Sequence, residues 1–239
     1  MLLLKLLSSA PSEEVIEQRT ELVTAISIVV IALAVLLLAA AALGRKKLGS
    51  TKVLGFAAVS VALSFVLSFI KLELPFGGSV TLVSMLPIIF FAFVCGAVPG
   101  LIAGAVYGVL QFIQSAWFIS LPQFALDYIF AFAAVALAGT LRPLTKRTGT
   151  AFVLGILLVC AVRLAMHTGA GIIYFNMGLT WESLPLVGDG AHSGALLYSL
   201  IYNSLYMIPE LILLLAVSAY LVPSGQLDRL LAEAGKLGL

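Results

Sequence analysis

The chain reads as a series of long apolar runs broken by short polar stretches. The first, residues 22–43, is uncharged, rich in Ala, Val and Leu, and ends at Gly44-Arg45-Lys46-Lys47. Six more follow, at about 53–70, 80–94, 101–119, 121–141, 151–173 and 195–221. A helix needs roughly 20 apolar residues to cross a bilayer, and these runs have or approach that length rather than the ten-residue alternation of an outer-membrane barrel. The pattern predicts an all-α integral membrane protein with seven spans. Between the runs lie a turn-rich loop at 71–79, a tight connection at 95–100, a basic loop at 142–147 and a polar loop at 176–193 that carries Trp181, Glu182, Asp189 and His192. Pro223 ends the last run, and a short amphipathic tail with Arg229 and Lys236 follows. The expected organisation is an N-terminal segment, 1–49, holding an extra helix at about 22–43. A six-helix unit at 50–222 and a cytoplasmic tail at 223–239 complete it.

Two patterns of small residues fall inside the runs. Ala58-x-x-x-Ala62 lets another helix approach closely, and Gly96, Gly100, Gly104 and Gly108 leave one helix face without side chains. For the glycine ladder the expectation is close helix packing within the bundle.

Composition agrees with the pattern. The chain of 239 residues is 62% hydrophobic and 10% charged, where a soluble domain carries about 25% charged residues. The net charge of +2 gives no reason to expect a nucleic-acid partner, but the placement of charge sets an orientation. Lys and Arg at 45, 46, 47, 52, 142, 146, 147, 229 and 236 fall on one side, against Lys5, Arg19 and Lys71 on the other. By the positive-inside rule the first group is cytoplasmic, which puts the N-terminus outside and the C-terminus inside. Met1–Leu7 is too short for the core of a cleaved signal peptide. Cys95 and Cys160 sit in apolar runs and suggest neither a disulfide framework nor a metal site. No phosphate-binding G-x-x-x-x-G-K-[ST] loop is present, so any energy from ATP comes from another chain.

The candidate chemistry lies inside the membrane. Asp127 stands about a turn and a half into its run, and a carboxylate at a helix centre costs roughly 2.5–3.5 kcal/mol on insertion, so it faces a cavity or a partner. At 1.5 Å rise per residue, Asp127 lies about 8 Å, His167 about 9 Å, Tyr198 about 5 Å and Asn203 about 12 Å from the outer ends of their helices. One outer layer thus collects a carboxylate, an imidazole and an amide, with Phe76, Trp117, Tyr174, Phe175 and Trp181 close above. That set suits a flat, nitrogen-rich, cationic solute captured from outside. An enzyme is not expected: Asp127 and His167 have no Ser or Cys nucleophile in an activating motif beside them, and two histidines without ligand spacing make no metal site. No cofactor is implied. Arg163 is expected to satisfy a carboxylate or a carbonyl; Glu210 is either its partner or a proton-sensitive group.

Four linked motifs add a resemblance. Gly77-Gly78-Ser79-Val80 with Met85-Leu-Pro87, Leu126-Asp127-Tyr128, Arg163-Leu-Ala-Met-His167 with Gly171, and Tyr198-Ser199-Leu200-Ile-Tyr202-Asn203 resemble the thiamin-specific substrate-binding subunits, or S-components, of energy-coupling factor transporters. The resemblance covers about residues 50–222. It implies a six-helix S-component bundle, here with one extra N-terminal transmembrane helix, that binds thiamin and works with a membrane coupling subunit and two ABC-type ATPases. It further implies that Asp127 meets the cationic vitamin with Tyr128 as aromatic neighbour and that His167 stacks. Tyr198 and Asn203 would hold the pyrimidine end, and Ala58 and Ala62 would touch the coupling subunit. Where some relatives carry tryptophan near 78 and at 175, this chain has Gly78 and Phe175, so stacking falls to residues such as Phe175, Phe76, Trp117 or Trp181. The other readings are an S-component for a different vitamin or a thiamin precursor, and a stand-alone proton-coupled carrier.

Overall fold

The computed structural model describes residues 13–48, 50–74, 78–176 and 190–239. Helix α1 (Glu13–Leu48) is followed by α2 (Thr51–Ser68), an antiparallel hairpin of β1 (Lys71–Glu73) and β2 (Ser79–Thr81), α3 (Leu86–Cys95) and α4 (Ala97–Gln114). A segmented helix α5 (Leu121–Leu144), then α6 (Thr148–Asn176), α7 (Gly190–Leu221) and the tail helix α8 (Gln226–Lys236) complete the chain. Among the described residues α2, α4, α5, α6 and α7 are long and apolar enough to cross a membrane, and α1 carries a shorter apolar stretch at Val23–Leu36.

The third run departs from the expectation of a span over 80–94. Val80 belongs to β2, and helix begins only at Leu86, leaving ten residues, about 15 Å of rise against a hydrocarbon core of about 30 Å. Its apolarity has another cause. Ile88, Ile89, Phe91, Ala92 and Phe93 are almost wholly enclosed, packed with Val135, Ala138, Phe152 and Ile156 of the flanking helices. Helix α3 is the core of the bundle rather than a lipid-facing wall.

The connection expected at 95–100 is a single residue. Gly96 takes φ +97°, a conformation that favours glycine, and α4 starts at Ala97. Pro99 reads as a loop residue in sequence, yet in a first helical turn its missing N–H costs nothing. Helix α4 ends at Gln114 instead of 119, so Trp117 lies in an irregular segment before α5. The rest of the glycine ladder does pack. A Cβ on Gly104 would sit 2.3 Å from the carbonyl oxygen of Phe132, and one on Gly108 1.9 Å from that of Tyr128. Helices α4 and α5 therefore touch backbone to backbone, which fixes how far Asp127 stands from α4.

Helix α5 opens on Ser120, whose Oγ accepts from the Gln123 N–H at 3.3 Å, with Pro122 in the first turn. It then widens into a π-helical turn, Ala125–Phe130, that contains Asp127. Such turns are rare and tend to occur at functional positions. Among the described residues, helices α6 and α7 pack together most extensively. Gly171 allows it: a Cβ there would lie 2.1 Å from Ser199 Oγ. Ahead of α2, Ile26, Val30, Leu33 and Ala34 of α1 pack on Leu126 and Phe130 of α5 and on Ala170 and Ile173 of α6.

Candidate ligand-binding site

A cavity of about 570 Å³ opens at the hairpin end of the bundle, between the hairpin, α4, α5, α6 and α7. Trp117, Asp127, Tyr128, His167, Phe175, Tyr198 and Asn203 all line it. Its volume falls within the roughly 300–1,000 Å³ usual for small-molecule sites. Phe76 and Trp181 lie outside the described residues, as does the side chain of His192.

Four charged residues line the cavity, Lys71, Asp127, Arg163 and Glu210, and Asp127 stands on its α5 wall. Its Oδ1 lies 2.9 Å from His167 Nδ1, and its Oδ2 accepts from Gln123 Nε2 at 2.6 Å. A carboxylate accepts, so His167 carries its proton on Nδ1 in this contact. In the neutral ring that leaves Nε2 an acceptor, and Nε2 is buried without a hydrogen-bond partner. The imidazole stands edge-on to Phe132 and Tyr206, with centroids at 6.4 and 6.1 Å. Tyr128 donates to the carbonyl of Ser115 at 2.9 Å and accepts from the N–H of Trp117 at 3.3 Å, tying the segment after α4 to α5.

Asn203 is buried and largely committed to the protein. Its Nδ2 donates to the carbonyls of Ser199 at 2.8 Å and His167 at 3.3 Å, and its Oδ1 accepts from the Tyr206 hydroxyl. It sets the spacing of α6 and α7 beneath His167 and holds Tyr206 at the cavity. Aromatic rings line the cavity as well. Trp117 faces Tyr174 at 5.9 Å, Tyr174 meets Phe175 at 4.8 Å, and Phe175 meets Tyr198 at 4.5 Å, the last two edge-on. Edge-to-face contacts of this kind hold rings in place while leaving a face available for stacking. Trp117 is about half exposed, at 55%.

Deeper in the cavity Arg163 and Glu210 pair at 3.2 Å, with side chains 5% and 6% exposed. The guanidinium also lies over the Phe132 ring, 4.9 Å from its centroid. Glu210 Oε1 accepts from Thr81 of β2 at 3.2 Å, so the hairpin is pinned to α7. Between the two readings left open for Glu210, the structure gives it Arg163 as partner. A second polar cluster joins Ser68 to Gln111 and Gln114 at 3.0 and 2.9 Å.

Gln123 and Tyr206 are site residues that the sequence reading passed over. Both had a signal: Gln123 stands four residues before Asp127, and Tyr206 follows Asn203 by three. Ala58 and Ala62 lie elsewhere, exposed on α2, where they line an apolar groove of about 440 Å³ with Ile102 and Val106 of α4.

Taken together, these features define an all-helical multi-pass membrane protein with a polar and aromatic ligand cavity at one end of its bundle. Residues 54–227 match the family described as thiamine transporter protein, and the chain belongs to that family. It is 30% identical over 171 residues to the thiamine transporter ThiT of Bacillus subtilis (strain 168), covering 65% of this chain and 82% of that one. Among solved structures, ThiT from Listeria monocytogenes superposes with a TM-score of 0.59 over 73% of this chain and 96% of the other. At 22% identity that likeness bears on the fold alone. The family match begins after α1.

Proposed function

We propose that this chain is a high-affinity thiamin-binding S-component of an energy-coupling factor transporter. The hairpin end faces outward, with the N-terminus outside and the C-terminus in the cytoplasm. The observation that carries the reading is the Asp127 carboxylate, held by Gln123 and His167 on the wall of a cavity that aromatic rings and polar side chains line together. Thiamin brings a permanently cationic ring and an aminopyrimidine. Asp127 neutralises the first, and Trp117, Tyr128 and Phe175 offer faces for stacking and cation–π contact. His167 steadies the carboxylate through Nδ1 and offers its ring for stacking, while Tyr198 and Asn203 shape the α7 side of the pocket.

No chemistry is assigned to the bundle. A membrane coupling subunit docks on the groove around Ala58 and Ala62, and two ABC-type ATPases hydrolyse ATP on their own chains. A stand-alone proton-coupled carrier is disfavoured, because Glu210 is already engaged by Arg163 and Thr81.

The test is calorimetric titration of the purified chain in detergent with thiamin, its pyrimidine half and riboflavin. Saturable binding of thiamin that the other two fail to displace supports the reading. Tighter binding of either rival overturns it. Uptake into liposomes by the chain alone, driven by a pH gradient, would favour the carrier.

A further inference from the structure

Gln123 stands out because an amide on a cavity wall would ordinarily be available to a ligand, and this one is not. It is 1% exposed. Its Nε2 donates to Asp127 Oδ2 at 2.6 Å and to the carbonyl of Trp117 at 3.4 Å, while its Oε1 accepts from the N–H of Ile119 at 3.2 Å. The Ile119 contact fixes which way the amide faces. A flipped amide would point NH₂ at an N–H and oxygen at a carboxylate, so the donor end must face Asp127.

We infer that Gln123 is a positioning residue for the ligand's cation, its amide setting the orientation of the Asp127 carboxylate and joining it to the segment that carries Trp117. The inference rests on the reading of Asp127 as thiamin's counter-ion. A carboxylate has about four lone-pair sites. Gln123, from the turn before the π-helical stretch, takes one on Oδ2, and His167, from α6, takes one on Oδ1. Two donors on two oxygens leave the carboxylate no free rotation, and its remaining sites point where the scaffold directs them. Charge-assisted bonds of this kind are the strong ones, and a group already held in place needs no ordering when the ligand arrives.

The same amide reaches the other way. Trp117 and Ile119 belong to the irregular stretch between α4 and α5, which Tyr128 also holds through Ser115 and Trp117. Gln123 and Tyr128 therefore anchor one wall of the cavity from either side of Asp127. A residue that only braced this stretch would matter equally for every ligand. A residue that aims the carboxylate matters for charge.

The test compares thiamin with a neutral analogue in which carbon replaces the quaternary ring nitrogen, titrated by calorimetry onto the full-length chain and its variants in detergent. In Gln123→Met, thiamin binding is expected to weaken by about tenfold or more and analogue binding by less than about threefold, so the preference for the cation shrinks. Gln123→Asn keeps an amide but withdraws it by one methylene. It disturbs the segment less and is expected to lose preference in the same direction, which serves if Gln123→Met does not fold.

Parallel losses for both ligands would make Gln123 a brace and overturn the inference, as would an unchanged preference in both variants. If the wild-type chain failed to bind thiamin, or bound both ligands equally, the counter-ion reading itself would fall and take this inference with it. A wild type that discriminates beside variants that discriminate equally well removes the Gln123 inference alone.

Discussion

Asp127→Asn removes one charge and almost no volume, so it isolates the electrostatic part of the site. A cation held about 4 Å from a carboxylate at an effective dielectric near 20 gains about 4 kcal/mol. Part of that is never realised. The Asp127 side chain is 25% exposed, and both ions shed water when they meet, so a net contribution of about 1.5–3 kcal/mol is expected. That corresponds to roughly 10- to 150-fold weaker thiamin binding. The substitution has a second consequence. Asp127 accepts from Gln123 on one oxygen and contacts His167 on the other, and asparagine offers only one oxygen. Gln123 cannot invert without losing Ile119, so the NH₂ of the introduced amide turns to His167. The imidazole proton then moves from Nδ1 to Nε2, converting that buried nitrogen from acceptor to donor. The assay is calorimetry with thiamin on wild type and Asp127→Asn, with thermal unfolding of the ligand-free proteins as the check on folding. A folded variant that binds thiamin within about twofold of wild type, under about 0.5 kcal/mol, would refute the counter-ion role.

Three further outcomes are expected. Glu210→Gln strands the Arg163 guanidinium and is expected to cost about 3–5 kcal/mol, whereas Arg163→Met with Glu210→Leu costs less than the two single changes together. A thiol-reactive dye reporting Cys95 and Cys160 as the bundle opens on heating would show it; additive losses would mean the pair is not coupled. Gly104→Ala places a methyl against the backbone of Phe132 and Ala133, where no side chain can rotate away. The expected loss is about 1–3 kcal/mol, read as a lower unfolding midpoint with weaker thiamin binding. Deleting residues 1–48 removes the packing of Val30 and Leu33 on α5 and α6, but no described residue of α1 lines the cavity. The midpoint should fall while thiamin affinity stays within about threefold, under about 1 kcal/mol; a larger loss would make α1 part of the site.

The helices were readable because an apolar run of the right length has few alternatives in a chain this poor in charge. Hydropathy failed at α3 for a physical reason: burial in protein and burial in lipid select the same residues, so Ile88 and Phe91 read like membrane-facing side chains. Asp127, His167 and Asn203 were visible because polar groups inside apolar runs are costly and need a reason. Their division of labour was not visible. Asn203 looked like a ligand contact in sequence, and the fold spends its amide on Ser199, His167 and Tyr206. Gln123 was hidden by its place at the end of a span, where an amide is ordinary. The partner of Arg163 could not be chosen from sequence, because the choice depends on which face of α7 meets α6.

The ion pair at the cavity floor also bears on how the protein is made. Arg163 and Glu210 are 47 residues apart in the chain, and synthesis runs from α6 towards α7. Arg163 therefore reaches the insertion machinery before its partner exists. A lone guanidinium at the centre of a helix adds roughly 2.5–3.5 kcal/mol to insertion, a burden that Glu210 lifts only once α7 has emerged. Helices α6 and α7 thus gain by partitioning together, as a hairpin whose two charges cancel on entry. A truncation between residues 176 and 210 would leave Arg163 of α6 without its carboxylate.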